Sequence, residues 1–298
     1  MAEKRKGEGQ RVLVTGASGG IGLELARCFA ADGYDLALAA RSGEKLKSLA
    51  KELGEKFHVA VAALPCDLGR IGAGAELVKA LDERGLAIDV LVNNAGYGHL
   101  MPFEQMGAED FRAQVETHFF GEVNLTRAVV PIMRRQRSGH IFQVSSVGGR
   151  IGHPGLSAYQ AAKWAVGGFT EALAQELAPL GIRVTTLEPG GMRTHWGTTA
   201  QAATPELWPD YRAAMDPMLG LLAEHIGKET GDPAKVAQLI LALAGHPNPP
   251  VHLLLGSDAV HYCGLAEAAR AAVGERWKAV SLAADFGGPE VLPALPQA

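Results

Sequence analysis

The chain has 298 residues, 47% of them apolar and 20% charged, with a formal net charge of −4. That length is enough to bury one large core, and a slightly acidic balance without a single-sign block argues against a nucleic-acid footprint. Cys28, Cys66 and Cys263 are odd in number and widely spaced, so they form neither a disulfide framework nor a metal pattern and fit a reducing compartment.

Residues 1–10 are polar and read as a flexible N-terminus without the apolar region of a signal peptide, and no later run has the length of a membrane span. A cytoplasmic protein without a membrane span is the expectation. From Arg11 the run Val12-Leu13-Val14 predicts a buried strand that passes into Gly16-Ala17-Ser18-Gly19-Gly20-Ile21-Gly22 and then into helical spacing. Glycines admit a pyrophosphate close to the backbone, and the free amides of a helix start supply donors. A tight connection of no further meaning is the alternative for this turn taken alone.

Tyr34 to Ala40 predicts a second strand, ending in Arg41. An acidic residue at this point would bond the adenosine ribose, whereas the forked donors of Arg41 suit a 2′-phosphate and point to NADP(H). The alternative is a solvent-facing arginine that opens the next helix. Glu44 to Lys56 is amphipathic, and Phe57 to Leu64 predicts a third strand followed by Asp67. Asp67 either accepts from an adenine amino group or caps a helix. Ile88 to Val92 predicts a central parallel strand. It ends in Asn93-Asn94-Ala95-Gly96, where the amides either tie strand ends together or orient the cofactor. Tyr97, His99, Leu100 and Phe103 form either a substrate wall or loop packing.

Phe111 to Met133 predicts a long helix whose final portion is disturbed at Pro131. The strand pattern His140 to Val144 then leads to Ser146. Tyr159 and Lys163 stand four apart in a helical run, so both side chains leave one face. An ammonium near a phenol favours the phenolate, and Ser146 is suited to hold a substrate oxygen beside Tyr159. Ile182 to Leu187 predicts the next strand. The irregular, aromatic stretch after His195 is either a lid over an apolar pocket or a packing arm. A helix from Pro233, a last strand at Val251 to Gly256 and a C-terminal helical region interrupted near Gly264 and Gly274 complete the pattern. The alternation predicts an α/β fold built on a doubly wound parallel sheet. Residues 11–256 form its single domain, including a lid segment at 191–230, followed by a helical extension at 257–286 and a loose tail at 287–298.

These motifs together resemble the short-chain dehydrogenase/reductase family over roughly Arg11 to Gly256. The resemblance implies a Rossmann fold and a cofactor site that includes Gly16, Ser18, Gly20, Ile21, Gly22, Arg41, Asp67, Asn93, Ala95, Gly96, Pro189, Gly190 and Thr194. It implies that Tyr159 is the acid or base, that Ser146 holds the substrate oxygen, and that Lys163 favours the phenolate and binds the nicotinamide ribose. An NADP-preferring oxidoreductase follows, similar to the retinol and 17β-hydroxysteroid dehydrogenase branch. It would interconvert an alcohol and a ketone or aldehyde on a bulky apolar substrate. A homodimer or homotetramer is implied as well. The usual asparagine of the proton relay is replaced by His118, whose protonation would place charge near Lys163. An acid fall in activity, flattened in His118→Asn, is the expectation; the alternative is a structural histidine that fills the helix flank. The alternatives are a redox-neutral epimerase or dehydratase, and a nicotinamide-responsive regulator that has lost turnover.

Overall fold

The computed structural model describes residues 5–83, 85–289 and 291–296. Seven strands form one parallel sheet: β1 (Arg11–Thr15), β2 (Asp35–Ala40), β3 (Val61–Pro65), β4 (Val90–Asn93), β5 (Gly139–Val144), β6 (Ile182–Pro189) and β7 (His252–Leu255). Their order across the sheet is β3-β2-β1-β4-β5-β6-β7, so the chain reverses its direction of travel between β1 and β4. A ligand crevice forms outside the carboxyl ends of the strands at such a reversal.

Alternation along the strands divides the core between two faces, because successive side chains of a strand point to opposite sides. Val12, Val14, Leu36, Leu38, Val92 and Phe142 pack with Leu25 and Phe29 of α1 (Gly20–Ala31), Leu46 and Leu53 of α2 (Gly43–Phe57), and Val236 and Ile240 of α9 (Pro233–Ala244). Leu13, Leu91, Ile141 and Val184 face the other way. They meet Leu77 and Leu81 of α3 (Ala73–Asp82) and Leu125, Val129 and Met133 of α5 (Gly121–Gln136). Each leucine fully buried in this way contributes roughly 1.5–3 kcal/mol. Gly139 is tightly fitted here, since a Cβ on it would meet the Met133 sulfur at 2.4 Å.

Three expectations from the sequence are corrected. The long helix is disturbed at its beginning rather than at Pro131: α4 (Ala108–Val115) passes through a π-helical turn at Glu116–Phe120 into α5, which carries Pro131 inside it. A π turn interrupts the regular hydrogen-bond ladder, and such turns concentrate at functional sites. Phe57 ends α2 instead of starting β3, because His58 closes that helix in the left-handed conformation at φ 56°. The C-terminal region is one uninterrupted helix, α10 (Ser257–Leu282), which accommodates Gly264 and Gly274 where no neighbour crowds them.

The stretch after β6 is largely helical, with α7 (Trp196–Ala202) and α8 (Pro209–His225). The remaining helix, α6 (Ser157–Leu177), carries Tyr159 and Lys163 against the sheet. Asp232 starts α9 by accepting from the Ala234 amide at 2.9 Å. No helix of the described residues is long and apolar enough to cross a membrane. The expected flexible N-terminus falls in part on residues 1–4, and the loose tail in part on 290 and 297–298, all outside the described residues.

Candidate active site

Six consecutive strands end in residues singled out from the sequence. Gly16 follows β1, Arg41 follows β2, Asp67 lies two residues beyond β3, Asn94 follows β4, Ser146 lies two residues beyond β5 and Gly190 follows β6. Because every strand is parallel, all six lie along one edge of the sheet.

The turn after β1 is built to bring backbone to this edge. Gly16 has φ +65°, and a Cβ there would stand 2.8 Å from Asn94 Nδ2 and 2.9 Å from the Ala95 Cα. A Cβ on Gly22 would meet the Gly16 carbonyl oxygen at 2.4 Å. Both positions require glycine. Gly19, by contrast, faces open space, and the N-terminus of α1 has no side-chain cap, so its free amides remain available to an anion. Thr194 Cγ2 lies 3.4 Å from where a Cβ on Gly20 would stand, which brings the loop after β6 over the same helix start. An open cradle of uncapped amides fits the pyrophosphate of a dinucleotide. Ser18 and Ile21 lie half-buried in that turn.

Asn93 and Asn94 have different tasks. Asn93 is fully buried, and its amide donates to Thr126 Oγ1 at 2.9 Å and to Gln143 Oε1 at 2.8 Å, tying β4 to β5 and α5. Its side chain has no exposed face for a cofactor, so of the two roles open to it the structure shows the tie between strands. Asn94 donates to the Thr15 carbonyl at 2.9 Å, while Thr15 Oγ1 accepts from the amides of Asn94 and Ala95. Arg41 is exposed at the end of β2, and Asp67 accepts from the Gly69 amide at 3.0 Å in a local turn. Pro189 is buried at the end of β6, and the Gly190 amide donates to Leu255 O at 3.0 Å. The adjoining Gly191 amide donates to Asp258 Oδ2 at 2.6 Å, so α10 braces this loop.

Tyr159 and Lys163 are both buried on α6. Ser146 Oγ and Tyr159 Cε1 each lie 3.4 Å from where a Cβ on Gly148 would stand, so the hydroxyl and the ring both border that glycine. The Gly148 amide donates to Ser146 Oγ at 3.0 Å. That bond occupies a lone pair and leaves the hydroxyl proton free to donate outward. Lys163 Nζ donates to the Val144 carbonyl at 2.7 Å and lies 3.0 Å from Glu122 Oε1. Burial pushes the Glu122 carboxyl up to about 7 against the opposing pull of the Lys163 ammonium.

His118 is placed against Tyr97, not against Lys163's nitrogen. Its Nε2 makes a tight contact with the Tyr97 carbonyl oxygen, and its ring meets Tyr159 edge to face with centroids 5.1 Å apart. The Tyr97 amide also stands 3.2 Å from Nε2, so the Tyr97 backbone engages that nitrogen through both its N–H and its carbonyl, while Nδ1 has no partner among the described residues. Burial, then the nearby Lys163 charge, pushes the His118 pKa well below its ordinary value. Both causes favour the neutral imidazole and so work against the expected fall of activity at mildly acidic pH through protonation of His118.

Above Tyr159 lies an apolar cover. Leu100, Leu156 and Ala200 pack with Tyr159, together with Trp196, Met218 and Leu222. Trp196 stands 5.5 Å from the Tyr159 ring centroid, and a Cβ on Gly98 would meet it at 2.3 Å. The loop after Gly96 is stitched to the stretch after β6 by Gln105 Nε2 donating to Glu206 O at 2.9 Å and Tyr211 Oη donating to Glu104 Oε2 at 2.6 Å.

Glu122 was missed in the sequence, although a signal was present. It falls three residues before Leu125 and seven before Val129, on the side of the helix that faces the core. Asp258 left no such signal, because an aspartate beside a helix start reads as an ordinary first-turn residue.

Comparison with known proteins agrees with this geometry. The family model described as short chain dehydrogenase matches residues 10–204. A relative named Oxidoreductase BOA17, from Botryotinia fuckeliana, is 43% identical over 271 residues, covering 91% of this chain and 97% of that protein. A short-chain dehydrogenase structure from Streptomyces avermitilis superposes with a TM-score of 0.83 at 33% identity, covering 96% of this chain and 100% of that one. A short-chain dehydrogenase from Sphingobium yanoikuyae in complex with NADPH has a TM-score of 0.71 at 28% identity, covering 89% and 95%. An NAD+-bound xylitol dehydrogenase has a TM-score of 0.71 at 28% identity, covering 84% and 98%. With its parallel sheet, glycine cradle and Ser146, Tyr159 and Lys163 at one edge, the chain belongs to the short-chain dehydrogenase/reductase family of oxidoreductases.

Proposed function

We propose that this oxidoreductase uses NADP(H) to interconvert a secondary alcohol and a ketone, or a primary alcohol and an aldehyde, on a bulky apolar substrate. The observation that carries the reading is that the Ser146 hydroxyl and the Tyr159 ring both border Gly148, with Tyr159 beneath the Trp196 and Leu100 cover. A carbonyl oxygen held between the two hydroxyls accepts from the free Ser146 hydroxyl proton and takes a proton from the Tyr159 phenol. The bound nicotinamide supplies a hydride to the carbonyl carbon, or takes one from the alcohol. Gly16, Gly20 and Gly22 bring the backbone to the pyrophosphate, and Thr194 stands over the same turn. Asp67 and the Asn94–Gly96 stretch border the adenosine side of the edge. The direction of the reaction follows the cellular ratio of reduced to oxidised cofactor.

NADP(H) is favoured over NAD(H) by Arg41, an exposed guanidinium at the end of β2, following the neutral Ala40. The 191–230 segment acts as the lid, and its apolar side chains set the preference for a bulky substrate. A homodimer or homotetramer is part of this reading, supported by the exposed Phe120 and Trp164 beside α5 and on α6. A cytoplasmic location is supported by the three free cysteines.

The test is consumption of NADPH, and of NADH in parallel, over carbonyls from small aldehydes to retinoid- and steroid-sized ketones. Turnover that prefers NADPH and increases with apolar size is the expected result. NADPH binding without turnover on any carbonyl would overturn it in favour of a regulatory protein. Redox-neutral conversion with a trapped cofactor would replace it with an epimerase or dehydratase.

A further inference from the structure

Lys163 is held from behind by a carboxylate. Both side chains of the Lys163–Glu122 pair are nearly excluded from water, at 4% and 3% exposure, and the nitrogen and oxygen are 3.0 Å apart. An ammonium has three protons to donate. One of them meets Glu122 Oε1 and another the Val144 carbonyl, leaving a third without a partner among the described residues, on a lysine that shares one helix face with Tyr159.

The second carboxyl oxygen, Glu122 Oε2, is buried without a partner among the described residues. An ionised carboxylate with a bare oxygen in this position is costly, whereas a carboxylic acid carries its own proton there and removes the charge. The charged group that acts on it is Lys163 on α6, whose charge also acts on His118 of the preceding π turn. His118 engages the Tyr97 backbone instead of Lys163 Nζ, so one turn further along the helix the chain supplies a different ionisable group behind the lysine.

We propose that Glu122 is the acid–base partner of Lys163, passing one proton through the lysine nitrogen towards Tyr159 in each carbonyl reduction. The inference rests on the reading of the site as a carbonyl reductase. The Tyr159 O–H bond breaks as its proton goes to the substrate oxyanion left by hydride arrival. A Lys163 N–H proton passes to the phenolate, and the Glu122 acid gives its proton to the lysine amine, which leaves a carboxylate facing an ammonium. Solvent restores the Glu122 proton after product leaves, so one proton enters for each carbonyl reduced. A carboxyl pushed up to about 7 by burial holds this proton near neutral pH and gives it up readily. Glu122 thus acts through Lys163, as a positioning and proton-holding residue.

The test uses the full chain with NADPH and a ketone it reduces, comparing wild type with Glu122→Gln, which keeps an oxygen towards Lys163 and removes the titration. Wild-type kcat is expected to fall as pH rises through about 7, because reduction needs the protonated acid. In Glu122→Gln, kcat falls roughly ten- to a hundredfold, KM moves less than about threefold, and the pH step disappears. Infrared spectroscopy supplies a readout free of turnover: a carboxylic-acid band fades across neutral pH in wild type and is missing from Glu122→Gln. Should that variant not fold, Glu122→Asp is expected to keep the band and the kcat step, both displaced in pH. An unchanged kcat and pH step in Glu122→Gln, an undisplaced step in Glu122→Asp, or a wild-type protein without the titrating band would overturn the proposal. If the protein binds NADPH and reduces no carbonyl, the functional reading fails separately, and the infrared titration still decides where the Glu122 proton resides.

Discussion

The ring of His118 occupies the space beside Gly96: a Cβ on Gly96 would meet His118 Cε1 at 2.7 Å and Nδ1 at 2.9 Å. A buried imidazole edge-on to Tyr159 and fixed to the Tyr97 carbonyl has no free direction in which to withdraw. The cofactor edge and the helix beneath it are therefore fitted to one another at this point.

Gly96→Ala is expected to destabilise the protein by about 1–3 kcal/mol, the usual cost of overpacking, and to lower activity by displacing His118 against Tyr159. Adding His118→Ala removes the obstructing ring, so the double variant should lose less stability than the sum of the two single variants. Chemical denaturation of the four proteins measures this. Additive losses would show that the two residues do not compete for space.

Tyr159→Phe removes only the transferable proton and leaves the ring packed under Trp196. Turnover should drop by roughly a hundredfold to ten-thousandfold, the range of general acid catalysis, while NADPH affinity changes less than about threefold. Steady-state kinetics together with fluorescence titration of NADPH separate the two effects. A variant that keeps full turnover would remove Tyr159 from the chemistry.

Arg41→Ala should weaken NADPH by roughly ten- to thirtyfold, corresponding to one charge-assisted contact of about 1.5–2 kcal/mol. NADH, which lacks the 2′-phosphate, should change by less than about threefold on the same energetic argument. Parallel dissociation constants for the two cofactors test it. Equal weakening of both would make Arg41 an ordinary surface residue.

Acid should destabilise the fold through His140, which stacks on Phe142 at 3.8 Å inside the sheet and donates to Thr185 Oγ1 at 3.1 Å. Burial, and then the Arg183 charge, lowers its pKa from 6.5 to about 3. Between these values the unfolded chain binds the proton and the folded chain does not, so stability falls as pH drops from about 6.5 towards 3. At about 1.4 kcal/mol per pKa unit, the full effect is a few kcal/mol. The lowered pKa of His118 acts in the same direction. Glu122 acts in the opposite direction, because its raised pKa makes the folded chain bind more protons between 4.5 and about 7. Urea unfolding of His140→Leu at several pH values is expected to show a lower stability at neutral pH and a shallower acid decline than wild type.

The fold was legible because strand and helix leave periodic marks on neighbouring residues. Val12-Leu13-Val14 before a glycine turn, and the nearly continuous apolar run at Ile88 to Val92, announce parallel strands without reference to anything distant. Tyr159 and Lys163 could be paired from spacing alone, since four residues make about one helical turn. The π turn around His118 could not, because nothing in Glu-Thr-His-Phe-Phe distinguishes a wide turn from a regular one until the helix is packed.

The sequence by itself determined the order of secondary structure and the residues at the ends of the strands, because both depend on contacts within a few positions. Tertiary structure alone decided that Glu122 meets Lys163 across 41 residues, that the Gly191 amide meets Asp258 across 67, and that His118 turns to Tyr97. Such partners are chosen by how helices pack on the two faces and at the edge of the sheet. Burial then sets the proton affinity of Glu122, His118 and His140, since the cost of charge depends on surroundings supplied by distant parts of the chain.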